Sequence, residues 1–203
     1  MPVELTGEKR LAIAADVELP RLYVIWPTPP IFASGDAELD MLGMVASSGK
    51  SSRLYKRLVR DMQIAQDVSA YQASEQLSST FWITVTMKKG HTPDEALKVV
   101  DEELGKLRDA APSAEEIDRA KAQILSHLVF DAERVTGRAN RFNEYNQLAG
   151  DPAYYEKDAA RYQRLGAGDV QRVARDLLPA GKRVVAIVTP TPGAPRAGKL
   201  VGK

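Results

Sequence analysis

The sequence predicts an α+β fold: a largely antiparallel sheet of about five strands with helices packed on one face, in the order ββααββ, four or five helices, then a closing strand. Three observations carry that expectation. Lys9–Asp16 and Arg21–Trp26 read as two strands, and Ile64–Tyr71 and Ser79–Lys88 alternate with a period of two. Between Thr92 and Leu177 the apolar residues recur at helical spacing instead. A last β-branched run, Arg183–Thr189, returns to strand character.

The first strand pair is separated by Glu18-Leu19-Pro20, and Thr28-Pro29-Pro30 ends it, because proline cannot donate to a ladder. Asp36 suits the N-cap of a helix reaching about Ser47, with Leu39, Leu42, Met44 and Val45 as its core positions. The chain is organised around the stretch Gly49–Lys88. Leu54, Leu58 and Met62 recur every four residues beside Tyr55 and Val59, so a helix is expected, with Arg53, Lys56, Arg57 and Arg60 on its other face. Ile64, Gln66, Val68 and Ala70 then alternate against Ala65, Asp67, Ser69 and Tyr71. A polar link, Gln72–Ser78, leads to a strand with Phe81, Ile83, Val85 and Met87 on one face and Trp82, Thr84, Thr86 and Lys88 on the other. Both faces carry bulk, so one side of the sheet is expected to be covered and the other partly used.

Two capping boxes open the helical region. Thr92-Pro93-Asp94-Glu95 precedes the stripe Leu97, Val100, Leu104, Leu107, and Ser113-Ala114-Glu115-Glu116 precedes Ile117, Ala120, Ile124, Leu128. Further helices are expected over about Gly137–Leu148 and Ala153–Gln163, and from Gly168-Asp169 through Val170, Val173 and Leu177. Residues 1–190 read as one domain, with 1–18 as its N-terminal strand region. The Pro/Gly/Lys-rich residues 191–203 read as a disordered tail.

Composition excludes several function classes. There is no cysteine among the 203 residues, so disulfides, thiolate metal ligands and Cys catalysis are ruled out. A net charge of +1 gives no argument for nucleic acid or an anionic membrane as partner. No apolar run approaches the roughly 20 residues of a membrane span. Met1–Arg10 is polar with no apolar stretch behind it, so no signal peptide is expected there.

The chemistry-bearing motifs resolve mostly into ordinary structure. Gly49-Lys50-Ser51 lacks the glycine a phosphate loop needs five residues earlier, where Met44 stands, and it lies between two helical segments, so a turn is expected. The only histidines are His91, ahead of an N-cap in a polar turn, and His127, four residues before Asp131 on a helix. No His-x-x-x-His or His-x-x-Glu-His is present, so this chain is expected to hold no metal. Glu102, Glu103, Glu115, Glu116 and Asp118 are expected on solvated helix faces. Ser47-Ser48 and Ser51-Ser52 have no histidine nearby, and no catalytic residue is assigned.

Several stretches together resemble the insulinase/pitrilysin-type zinc metallopeptidase family, which includes the mitochondrial processing peptidases. Ser48-Gly49-Lys50-Ser51-Ser52-Arg53-Leu54 looks like the family's small-residue turn with Ser-Arg-Leu at a helix start, and Ile64–Ala70 like the strand that follows. Pro112–Lys121, Gly150-Asp151-Pro152 and Ala167–Ala174 resemble three later helix starts. The resemblance covers roughly Leu19–Pro190. It implies the non-catalytic, C-terminal domain of a half, inactive alone, beside a catalytic domain or subunit that bears His-x-x-Glu-His and the zinc. Family halves close like a clamshell on an extended peptide. The partner half's substrate-contacting arginine and tyrosine correspond to Val59 and Gln66 here, and Arg57, Arg60 and Tyr71 lie close by. Gln66, Tyr71 and Arg60 are therefore the candidate substrate-binding residues, with backbone pairing along a strand edge as one mode of recognition. The alternative is an assembly module or inactive paralogue that never touches substrate. The resemblance leaves room for a homodimer. It also implies a bacterial protein of the periplasm or cell envelope, with the cytoplasm as alternative.

Overall fold

The runs Ile64–Tyr71 and Ser79–Lys88 pair with each other, whereas Lys9–Asp16 and Arg21–Trp26 do not and both flank the last run, Arg183–Thr189. The structure is a computed structural model describing residues 4–195 and 197–201. Among the described residues, the strands form one six-stranded sheet ordered β3-β4-β2-β5-β1-β6. They are β1 (Lys9–Ala15), β2 (Arg21–Thr28), β3 (Ala65–Ala73), β4 (Ser79–Met87), β5 (Val184–Pro190) and β6 (Lys199–Leu200). All pairings are antiparallel except β1 with β5. The tail expected over 191–203 contains β6, whose Leu200 pairs with Ile13, while Arg196, Gly202 and Lys203 lie outside the described residues.

Helices α1 (Asp36–Ser47), α2 (Pro93–Asp109), α3 (Ala114–Glu133), α4 (Val135–Ala149), α5 (Tyr155–Gln163) and α6 (Ala167–Asp176) pack against the sheet. The expected stripes reach the core: Leu97, Val100, Leu104 and Leu107 from α2, and Ile117, Ala120, Ile124 and Leu128 from α3. They meet Leu22, Val24 and Trp26 of β2 and Phe81, Ile83, Val85 and Met87 of β4. Both expected capping boxes are present, Glu95 accepting from the Thr92 amide at 2.6 Å and Glu116 from the Ser113 amide at 2.9 Å.

Three local expectations change. Asp36 is not the cap of α1; Gly35, at φ 101°, fills that position, and Asp36 begins the helix with its side chain buried. The segment after the Gly49 turn is a π-helix, Tyr55–Asp61, closed by a bond from the Met62 amide to the Arg57 carbonyl at 2.9 Å. The wider turn shifts the side-chain phase, so Leu54 and Leu58 are buried while Met62 is 46% exposed. Glu103 is not on a solvated face. It is 5% exposed and ion-paired with Arg57 at 2.9 Å and Lys106 at 2.7 Å. Arg53 grips Glu116 through two bonds of 2.7 and 2.9 Å, which holds the Glu116 carboxyl down at about 2. Arg57 of the π-helix and Arg53 just before it thus tie this segment to α2 and α3.

Candidate functional site

Helices bury one face of the sheet, and the other face presents the candidate site. Strand register lays that face out in rows. Asp67, Thr86 and Arg21 stand side by side, then Ser69, Thr84 and Tyr23, then Tyr71, Trp82 and Ile25. Trp82 is the centre of an aromatic cluster. Its ring is parallel to Tyr71 with centroids 6.5 Å apart, and Tyr23 meets it edge-on at 6.3 Å. The Trp82 indole donates to Thr80 Oγ1 at 2.7 Å, which fixes its ring. Tyr71, on the edge strand, is 46% exposed.

The three expected substrate-contacting residues do not converge on one pocket. A β-bulge between Ala65 and Asp67 leaves Gln66 out of the ladder and turns it to solvent, which breaks the alternation expected from Ile64 to Ala70. Gln66 lines a cleft of about 440 Å³ with Val17, Glu18, Leu19, Arg21, Asp67 and Thr86. Tyr71 stands two rows away. Arg60 lies on the π-helix, with its guanidinium bonded to the neighbouring Asp61 at 2.9 Å.

The outer edge of β3 is engaged by α1 at one residue, Ala70. The Ala70 amide donates to Ser47 Oγ of α1 at 2.7 Å. α1 can approach because position 43 is glycine: a Cβ there would lie 2.8 Å from the Ala70 carbonyl oxygen. Strand addition at Ala70 would have to displace this helix.

A second polar assembly was not legible as a site in the sequence. Buried Arg161 of α5 donates to Asp36 at 2.7 Å and to Asp158 at 3.1 Å. Asp36 also accepts from Ser74 Oγ at 2.6 Å and the Phe32 amide at 2.9 Å. Tyr145 donates to Asp158 and Tyr162 to Asp40, both at 2.8 Å. Burial pushes the Asp40 carboxyl up to about 7; Tyr162 and Arg161 oppose this, and Asp36 and Asp158 add to it. Asp36 and Asp40 are spaced i, i+4 on one helix, but their side-chain partners are more than thirty residues away, so no local signal announced the cluster. It joins α1, α5 and the β3–β4 link through satisfied bonds, which is structural chemistry.

The residues present do not fit zinc. His91 Nδ1 lies 3.6 Å from Glu95, and His127 is on α3, a different element. Among the described residues no three His, Cys, Asp or Glu side chains are grouped to hold a metal ion. No helix among them is long and apolar enough to cross a membrane.

Comparison with solved structures finds the same fold in a protease from Helicobacter pylori, with a TM-score of 0.85 and 20% identity over 93% of this chain. This chain spans only 46% of that protease. An inactive peptidase domain from Bordetella parapertussis matches with a TM-score of 0.77 and 21% identity, over 94% of this chain and 98% of its own. A ferredoxin protease, solved with Arabidopsis ferredoxin, matches with a TM-score of 0.69 and 16% identity, over 91% of this chain and 20% of its own. No curated protein matches. The profile of the peptidase M16 inactive domain matches residues 2–124, more than half of the sequence. The chain belongs to the M16 peptidase family, as one of its inactive domains.

Proposed function

We propose that this chain is the non-catalytic half-partner of a zinc metallopeptidase. It would form one wall of a peptide-binding chamber and dock against a half that carries the zinc. The observation that carries the reading is one of length: the fold of 93% of this chain recurs as 46% of a longer protease. The sequence contains no His-x-x-Glu-His, so hydrolysis would fall to the partner, which supplies zinc as the Lewis acid and water-activating group. The open sheet face, with Gln66 and Tyr71, and the π-helix bearing Arg60 supply the wall. The bulge leaves the Gln66 backbone out of the ladder with its side chain exposed, and that side-chain amide can donate to a substrate carbonyl. Bacterial relatives support a bacterial origin, and location in the periplasm or envelope is tested by fractionation.

The test is reconstitution. The purified chain is mixed with a zinc-bearing M16 half, and turnover of a quenched peptide is followed beside co-elution on gel filtration. The reading expects turnover that needs both proteins, and a decrease of about three- to tenfold in kcat/KM for Gln66→Ala or Tyr71→Ala with co-elution intact. Full turnover by every variant would favour the purely structural partner, a role that the engagement of Arg60 with Asp61 already suits. Turnover by the chain alone would overturn the non-catalytic assignment.

A further inference from the structure

We infer that α4 and α5 form an arm that a polar latch holds against α1, and that the latch loosens as pH rises to neutrality. This property is independent of the chamber-wall reading. What the two helices bury points to it. α4 buries one residue, Tyr145, and α5 buries Asp158, Arg161 and Tyr162. All four belong to the polar cluster. α2, by contrast, is seated by the apolar stripe of Leu97, Val100, Leu104 and Leu107. The arm is thus held more by hydrogen bonds and ion pairs than by apolar area. Extended backbone at Arg134 and at Gly166 separates it from α3 and α6, so it has a joint at each end.

Two contacts cross from the arm to α1. Arg161 donates to Asp36 at 2.7 Å, and Tyr162 donates to Asp40 at 2.8 Å. The groups enclose a cavity of about 150 Å³. Four carboxyls line it, Asp36, Asp40, Glu144 and Asp158, against two guanidiniums, Arg141 and Arg161. Arg161 pairs with Asp36 and Asp158, and Arg141 pairs with Glu144 and with Asp131, which does not line the cavity. Asp40 is in no ion pair among the described residues; its bonded partner is a neutral phenol. Cations on the other helices beside α1 are engaged elsewhere, Lys121 of α3 with the Gln163 carbonyl and Arg172 of α6 with Glu38. With Asp40 protonated, three carboxylates face two cations. Ionised, Asp40 adds a fourth, one turn from Asp36 on the same helix and across from Asp158. Burial, with Asp36 and Asp158 nearby, holds the Asp40 carboxyl up at about 7 in the closed arm. Opening the arm hydrates that carboxyl and releases its proton. The closed state therefore binds more protons than the open one, so opening becomes easier as pH rises towards 7 and changes little above it.

The test is hydrogen exchange of the ¹⁵N-labelled chain, read residue by residue between pH 5 and 8 and corrected for the intrinsic rate. Amides of α4 and α5 should exchange through a local opening that responds little to sub-denaturing urea. Leu104 and Leu107 of α2 should exchange only with global unfolding and respond steeply. The arm's opening constant should rise by roughly tenfold per pH unit between pH 5 and 6 and level off above 7. Asp40→Asn should remove the rise. Tyr162→Phe should carry it to higher pH, because the phenol's bond favours the ionised carboxyl. An arm that opens only together with α2, an opening constant that does not change with pH, or a rise that persists in Asp40→Asn overturns the inference. Should Asp40→Asn fail to fold, the urea and pH series on the unaltered chain still decides, since it alone must show both the local opening and the rise.

Discussion

Strand β4 carries two chemistries back to back. Phe81, Ile83, Val85 and Met87 point into the helical layer and are fully buried, while Trp82, Thr84 and Thr86 point the other way and stay partly open. The backbone bonds serve both faces alike, so the ladder cannot be what separates them. What separates them is the covering. The helices of the central region supply apolar stripes to one side only, and the far side is left to aromatic and hydroxyl side chains that tolerate water. A face finished with rings and threonines can form and release contacts without unfolding the sheet. The buried face cannot.

The largest effect expected is on the buried face. Phe81→Ala should cost about 3–5 kcal/mol in urea unfolding, since it removes a fully buried ring and leaves a cavity. A cost below about 1 kcal/mol would mean that the two faces of β4 are equally loose.

The polar cluster on the helical side should make stability depend on pH. The folded Asp40 carboxyl sits at about 7, well above its unfolded value near 3.8, so the folded state holds a proton that the unfolded state has released. Its contribution is full below about pH 4 and lost as pH rises towards and through 7. A loss of about 4 kcal/mol between pH 4 and 8 is expected, reduced in Asp40→Asn, which mimics the protonated form. Parallel curves for the two proteins would count against the burial argument.

Gly43→Ala tests whether α1 engages the β3 edge at Ala70. The added methyl would meet backbone at 2.8 Å, so a cost of about 1–3 kcal/mol is expected, with faster hydrogen exchange at the Ala70 amide. Exchange as slow as in the parent would show that the helix does not hold that amide. The smallest effect is on the open face: Tyr71→Ala should lower stability by only about 0.5–1 kcal/mol, the worth of one cross-strand aromatic pair. A larger loss would make Tyr71 part of the core rather than of a surface that receives a ligand.

By itself the sequence determined the kinds and order of the main elements, since periods of two and of 3.6 follow from backbone geometry and local capping chemistry. It determined the buried stripes of α2 and α3 and the alternation of β4. It also carried the family resemblance and the absence of cysteine and of the His-x-x-Glu-His motif. Tertiary structure decided the rest. One extra residue of winding made the segment after Gly49 a π-helix and exposed Met62, and one unpaired residue in β3 turned Gln66 outward; neither insertion leaves a local periodic signature. Glu103 and Asp36 became buried because their cations, Arg57 and Arg161, arrive from 46 and 125 residues away. Trp82 and Tyr71 became a stacked pair only once antiparallel register set them opposite each other. Spacing along a chain constrains neighbours within a turn or two of one element, whereas pairing between elements depends on which surfaces the packed core leaves facing each other.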